Sequence, residues 1–243
     1  MRYLLTFSYD GTLFFGYQKQ KNKRSVQEEI EKVLSKINNE KTVISASGRT
    51  DAGVHAINQK AHFDSNKEYN LDRLKHSMNK MLPDDIFIKD IKNVSENFHA
   101  RFDVVKKEYV YKINIGQYNP LDRNYIYQYN WTLDVDKMNK AIKHFIGKHN
   151  FKSVTKTIKE EKDYVRTIYD ASVSLKDDII TIKFIGSGFM RYMVRNMVGL
   201  LIAVGESKIS PTDIVDILNK EDRVFAKKTA PSEGLYLANV YYE

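Results

Sequence analysis

The hydrophobic period of this chain switches repeatedly between two residues and 3.6, which limits it to folds that mix sheet and helix. Tyr3, Leu5, Phe7 and Tyr9 alternate with Leu4, Thr6 and Ser8 as in a strand, and Asp10-Gly11 ends the run as a turn. In "SVQEEIEKVLSKI", Val26, Ile30, Val33, Leu34 and Ile37 share one helical face, and Ser25 and Glu28 have the spacing of a capping box. "TVISAS", "QKAHFD" and "DIFIKDI" read as strands, and Leu71, Leu74, Met78 and Met81 as a helix that Pro83 stops.

The second half continues in the same style. Tyr109, Tyr111, Ile113 and Ile115 form a strand, and Met138, Ala141, Ile142, Phe145 and Ile146 a helix ended by Gly147. "TIYDASVSL" and "IITIKFI" make a hairpin across Lys176, Asp177 and Asp178. A helix follows from about Met190, then a short one opened by Ser210-Pro211, and "LYLANVYY" ends the chain as a strand. Hairpins in place of strict strand–helix alternation predict an α+β fold with largely antiparallel sheet. The chain has no linker rich in Pro, Gly or Ser, so the expected boundary is a soft one: residues 1–100 as one α/β half and 101–243 as the other.

Composition narrows the partners. A soluble globular chain of 243 residues fits 42% hydrophobic and 29% charged residues. The 39 Lys and Arg against 31 Asp and Glu leave a net charge of +8, which favours a polyanion such as nucleic acid, with a merely lysine-rich protein equally open on charge alone. The absence of cysteine excludes disulfides, thiolate nucleophiles and cysteine-ligated metals. The N-terminus has no apolar core of signal-peptide length and no window nears 18 apolar residues, so the expectation is a cytoplasmic protein without a membrane partner. The scattered histidines offer no metal set and no glycine-rich phosphate loop occurs, so no metal and no nucleotide cofactor are expected.

Three stretches carry candidate chemistry. "ASGRTDAGVHA" holds Arg49 and Asp51 two residues apart in a segment with Gly48 and Gly53. In extended backbone both side chains project to one side, and a nearby guanidinium keeps a carboxylate ionised for use as nucleophile or base. The plainer reading is an acid that caps a turn beside an exposed arginine. In "MRYMVRNMVGLLIAVG", Arg191 and Arg195 lie four apart, so on one helix like charges meet, which makes sense beside a carboxylate or an RNA phosphate. In "KKEYVYKI", Tyr109 and Tyr111 face one way on a strand, either as core or with one stacking on a base.

"SASGRTDAGVHA" resembles the signature of the TruA family of tRNA pseudouridine synthases, and "YDGTLFFGYQKQ", "SVQEEIEKVL", "LPDDI", "FHARF", "FMRYMVRNMVG" and "APSEGLYL" follow in that family's order. The resemblance covers nearly the whole chain. It implies the pseudouridine synthase fold, with a central sheet flanked by helices. It also implies isomerisation of uridine to pseudouridine at positions 38, 39 and 40 of the tRNA anticodon stem-loop, by a homodimer without cofactor. Residue by residue, it makes Asp51 the catalytic aspartate and Arg195 its basic partner. Tyr109 becomes the tyrosine that packs on the target base, Leu235 an apolar residue of the pocket, and Arg49 the loop arginine that holds the nucleotide out of its stack. Arg191 is a further candidate for binding substrate. Tyr17 stands where the family more often has tryptophan, and "DVVKKE" replaces its usual approach to the tyrosine strand. A glycosylase or base-exchange enzyme would also use an aspartate nucleophile, and a non-catalytic RNA-binding module would fit the charge. An aspartyl-phosphate enzyme would need further acids for Mg²⁺ at the loop, which are missing.

Overall fold

The computed structural model describes residues 1–156, 163–226 and 228–242. It is a mixed α/β fold whose strands pair mostly antiparallel, with helices packed on them. Two compact units form: Met1–Val105 with Tyr236–Glu243, and Lys106–Leu235. No helix among the described residues is long and apolar enough to cross a membrane.

In the first unit, β1 (Arg2–Tyr9) lies between β3 (His55–Asp64) and β4 (Ile86–Val94), antiparallel to both. β2 is only Ser45–Ala46, shorter than the strand "TVISAS" predicts, and pairs with β3. Residues from β10 (Leu235–Tyr241) run parallel to β3, with Tyr236 opposite His55. Tyr3, Leu5, Phe7 and Tyr9 of β1 are buried, as is Leu4, together with Val26, Ile30, Val33 and Leu34 of α1 (Val26–Asn38) and Leu74 and Met78 of α2 (Leu71–Met81), while Met81 at the end of the expected stripe is exposed. Ser25 does precede α1, yet its hydroxyl makes no capping bond and is buried with no partner among the described residues, so the expected capping box is not formed.

The buried carboxylate of Glu31 fastens α1 instead. It accepts from Ile44 N (3.1 Å) and Gln27 Nε2 (2.8 Å) and pairs with Lys19, so helix, preceding loop and the lead into β2 share one charge. His62 of β3 accepts from the backbone N–H of Ala100 through Nδ1 (3.1 Å), which requires that nitrogen to be unprotonated. Burial, then the charge of Arg2 and of His99, lowers its pKa to about 4. The unfolded chain protonates near 6.5, so the contribution of His62 to stability is intact above that pH and is lost as pH falls towards 4. Chemical denaturation at pH 7 and pH 4.5 is expected to show about 2 kcal/mol less loss in His62→Gln than in the parent chain.

In the second unit, β5 (Lys106–Asn114), β9 (Ile179–Gly186), β8 (Val165–Lys176) and β7 (Gly147–Asn150) pair antiparallel in that order, and β6 (Tyr127–Gln128) runs parallel to β5. The β8–β9 hairpin turns on Asp177 and Asp178, whose φ values of 49° and 60° are those of a two-residue turn matched to strand twist. α3 (Val135–Ile142) stops before the expected position, and a 3₁₀ turn at Lys143–Phe145 follows it. Gly147, φ +111°, opens β7, a strand the sequence pattern does not announce. α4 (Met193–Gly205) is buried on nearly every side, which explains its near-continuous apolar run. At α5 (Asp213–Asn219), Ser210 Oγ accepts from Asp213 N while Asp213 Oδ2 accepts from Ser210 N, so the Ser-Pro start is a reciprocal cap.

Candidate active site

The Asp51 segment is a short loop between β2 and β3, and nearly every residue in it is fixed from outside. Ser47 donates N–H to Lys60 O (2.8 Å) and its hydroxyl to Gln59 Oε1 (2.6 Å), while Gln59 Nε2 returns to Gly48 O (3.1 Å). Thr50 is buried against the Tyr9 hydroxyl (2.7 Å), whose pKa burial raises to about 12. Arg49 is exposed and Asp51 half-buried on either side of it, in the alternation that extended backbone imposes. The backbone carbonyl of Asp51 accepts from Val54 N (3.2 Å) and closes a four-residue turn. Gly53, with φ +75°, takes the position in that turn where a Cβ is penalised.

A second segment, "YDGTLFFGYQ", is the clamp. Tyr17 N donates to Thr50 O (3.1 Å), Gly53 N to Phe14 O (3.3 Å), and Gly11 N to His55 Nδ1 (3.1 Å). Such backbone contact needs glycine: a Cβ on Gly11 would lie 2.1 Å from Val54 O, and one on Gly16 2.9 Å from Thr50 O. Gly16 also has φ +99°. Asp10 N reaches Asp85 O (3.0 Å), and the Asp85 carboxylate receives a two-pronged pair of bonds from Arg24 (2.6 and 2.9 Å). "PDD" is therefore more than a helix stop. Tyr17 is buried at the clamp's end with no partner for its hydroxyl among the described residues, and burial pushes its pKa well up. Tyr17→Phe is expected to raise unfolding stability by about 1 kcal/mol, read by denaturant titration, with activity unchanged.

In the second unit, α4 and the stretch "APSEGL" are buckled together. Arg195 Nε donates to Ala230 O (2.6 Å) while Ala230 N donates to Arg195 O (3.0 Å). Asn196, fully buried, donates to Val154 O (2.7 Å) and accepts from Thr229 Oγ1 (2.7 Å) and Arg223 (2.9 Å). A Cβ on Gly199 would lie 2.0 Å from Lys228 O. Farther on, Lys112 N donates to Gly234 O (2.9 Å) and the Tyr111 hydroxyl to Pro231 O (2.8 Å), so the same stretch grips β5 and sets the buried Leu235. Asn196, Gly199 and Gly234 are positioning residues that a search for reactive side chains passes over. Their signal was an amide and two glycines inside apolar or turn segments.

One expectation for this region is corrected. Helix α4 begins at Met193, because Tyr192 takes a left-handed conformation (φ 62°), so Arg191 lies outside the helix and no i,i+4 repulsion arises. The two arginines meet differently. The Arg191 and Arg195 guanidinium carbons lie 5.3 and 5.2 Å from the centre of the Tyr192 ring, and the Lys156 ammonium 5.8 Å from it. Tyr109 is buried in β5, edge-on to Phe189 at 4.9 Å, and Tyr111 is buried outright. Arg49 and Asp51 thus belong to the first unit, and Tyr109, Arg191, Arg195 and Leu235 to the second. Among the described residues, no group of three His, Cys, Asp or Glu side chains is arranged to hold a metal ion.

A family model described as "tRNA pseudouridine synthase" matches residues 5–103 and 141–243. The chain is 46% identical over 240 residues to tRNA pseudouridine synthase A of Geobacillus sp. (strain WCH70), covering 98% of this chain and 97% of that protein. It is 43% identical over 246 residues to the protein of the same name from Bacillus subtilis (strain 168), covering all of both. A likeness of this depth reaches both glycine-clamped segments and both units, and the chain belongs to the tRNA pseudouridine synthase family.

Proposed function

We propose that this isomerase acts on uridines 38, 39 and 40 of the tRNA anticodon stem-loop, with Asp51 as nucleophile. The observation that carries the reading is the Asp51 turn, a carboxylate-bearing residue held half-exposed on backbone that the Gly11–Tyr17 clamp and the Ser47–Gln59 bonds leave little room to move. The target nucleotide leaves its stack at a cost of a few kcal/mol. The carboxylate attacks it, the N1–C1′ bond breaks, and the enclosed uracil turns. C5 then bonds to C1′, the bond that the carboxylate had formed breaks and frees Asp51 as a carboxylate again, N1 gains a proton, and the C5 hydrogen is released as a proton. Atoms balance with no external reactant.

The remaining roles follow the motifs. Arg195 is the basic partner that keeps Asp51 ionised, Tyr109 packs against the base, Leu235 lines the pocket, Arg49 holds the nucleotide out of its stack and Arg191 binds RNA phosphate. The working form is a cytoplasmic homodimer that needs no cofactor. The net charge of +8 supports the polyanionic substrate.

The test is to incubate the protein with unmodified tRNA transcripts and rRNA fragments, then map pseudouridine by carbodiimide labelling and primer extension. Stops confined to positions 38–40 support the reading. Stops elsewhere in tRNA or in rRNA keep the chemistry and overturn the substrate assignment. Bound RNA without stops replaces both with a binding protein.

A further inference from the structure

The clamp beside Asp51 carries a side chain that its structural role leaves unexplained. Phe14 is buried under the Arg24 guanidinium (4.2 Å to the ring centre), and Tyr17 is buried as well. Phe15, between them, points outward and is 51% exposed. Single exposed apolar residues are ordinary. Three further observations set this one apart.

The first is rigidity. Phe15 N donates to Arg24 O (3.0 Å), and Phe15 O accepts from Gln20 Nε2 (2.7 Å). Residues 20–23 close a tight turn across a Gln20–Lys23 bridge, with Asn22 at φ 58°. The ring is therefore presented on backbone tied on both flanks, so little ordering entropy remains to be lost on binding. The second is charge. The Lys23 ammonium sits 4.3 Å from the ring centre, Lys21 is exposed in the same turn, and the run from Lys19 to Arg24 holds four cations and no acid. The third is place. The next residue, Gly16, lies so close to the catalytic loop that a Cβ on it would stand 3.4 Å from the Asp51 carbonyl carbon.

An aromatic ring on a stiff, cationic turn is the arrangement that stacks an unpaired base and holds its phosphate. We propose that Phe15 is a stacking platform for a base of the RNA substrate beside the target uridine, and that Lys21 and Lys23 neutralise the adjoining phosphates. The inference rests on the reading of an RNA substrate for the Asp51 site. Stacking there holds the strand splayed while the target is out of the helix, so the loss on removing the ring falls mainly on KM.

The experiment compares Phe15→Leu, Phe15→Tyr and Phe15→Trp for kcat and KM on tRNA transcripts, for thermal unfolding, and for transcript binding in an Asp51→Asn background. The Leu variant is expected to lose roughly 10- to 100-fold in kcat/KM and in affinity, whereas Tyr and Trp stay within about threefold. Unfolding midpoints should agree, because the ring is half in solvent. Lys23→Gln should lower the slope of log affinity against log salt by about one. Equal turnover and binding across the aromatic and Leu variants would overturn the platform, as would Tyr and Trp variants impaired like Leu. Binding that follows the aromatic series while the parent chain forms no pseudouridine supports the platform and removes the substrate reading alone.

Discussion

Asp51→Asn is expected to lower pseudouridine formation by at least about ten-thousandfold while leaving tRNA affinity within about threefold. The substitution keeps the shape of the side chain and removes its charge and nucleophilic oxygen. In the turn it sits on, the Asp51 carbonyl accepts from Val54 N, and Gly53 supplies the left-handed residue. The loop is held by Thr50 on Tyr9 and by Ser47 on Gln59, none of which the variant touches. A fall in kcat with an unchanged unfolding midpoint therefore isolates chemistry from folding. The measurement is tritium release from tRNA made with [5-³H]uridine, since the C5 hydrogen must depart when C5 bonds to C1′. A variant that turns over at a tenth of the parent rate or better is incompatible with a nucleophilic Asp51.

Gly11→Ala is expected to cost about 3 kcal/mol in stability and to depress turnover well beyond what the residual folded fraction explains. The added methyl meets Val54 at three backbone atoms, the carbonyl oxygen at 2.1 Å, the carbonyl carbon at 2.5 Å and the nitrogen at 2.9 Å. None of these can swing aside as a side chain can. Relief requires the clamp to lift or the Asp51–Val54 turn to shift, and a shift of about 1 Å at a reacting group costs on the order of a hundredfold in rate. Gly188→Ala is the control, because its methyl would find nothing nearer than the Arg166 side chain at 3.9 Å. Denaturant titration and tritium release on both variants separate the effects. A Gly11→Ala protein with parent-like stability and turnover would remove the clamp from the account.

Gly11 also marks what the sequence does and does not disclose. Strand and helix periods locate β1, α1, α2, β4, β5 and the β8–β9 hairpin, because each buries one face and repeats at its own period. Asp10-Gly11 reads as a turn from local composition, and it does begin one, yet Gly11 is required by Val54, 43 positions away in the chain. Nothing local encodes that contact. The same holds for Ser25, whose neighbours spell a capping box while its hydroxyl is enclosed by packing instead. At Tyr192, helical periodicity extends past the true start of α4, because it cannot register a left-handed residue that breaks the helix. The candidate site residues, Asp51 and Arg195 among them, were visible only through motif resemblance. Their supports were not: Asn196 bonded to residues 154, 223 and 229, and Gly199 against residue 228, depend on distant chain segments.

As a pseudouridine synthase, the chain rearranges uridine within tRNA and does not remove it. The most direct test is exhaustive incubation of the pure protein with unmodified tRNA transcripts in cofactor-free buffer, followed by quantitative nucleoside analysis of the RNA and of the supernatant by mass spectrometry. Each uridine lost is expected to appear as one pseudouridine of identical mass, with no free uracil and no strand of lower mass. Free uracil in the supernatant with abasic sites in the RNA, or an unchanged uridine content, would contradict it.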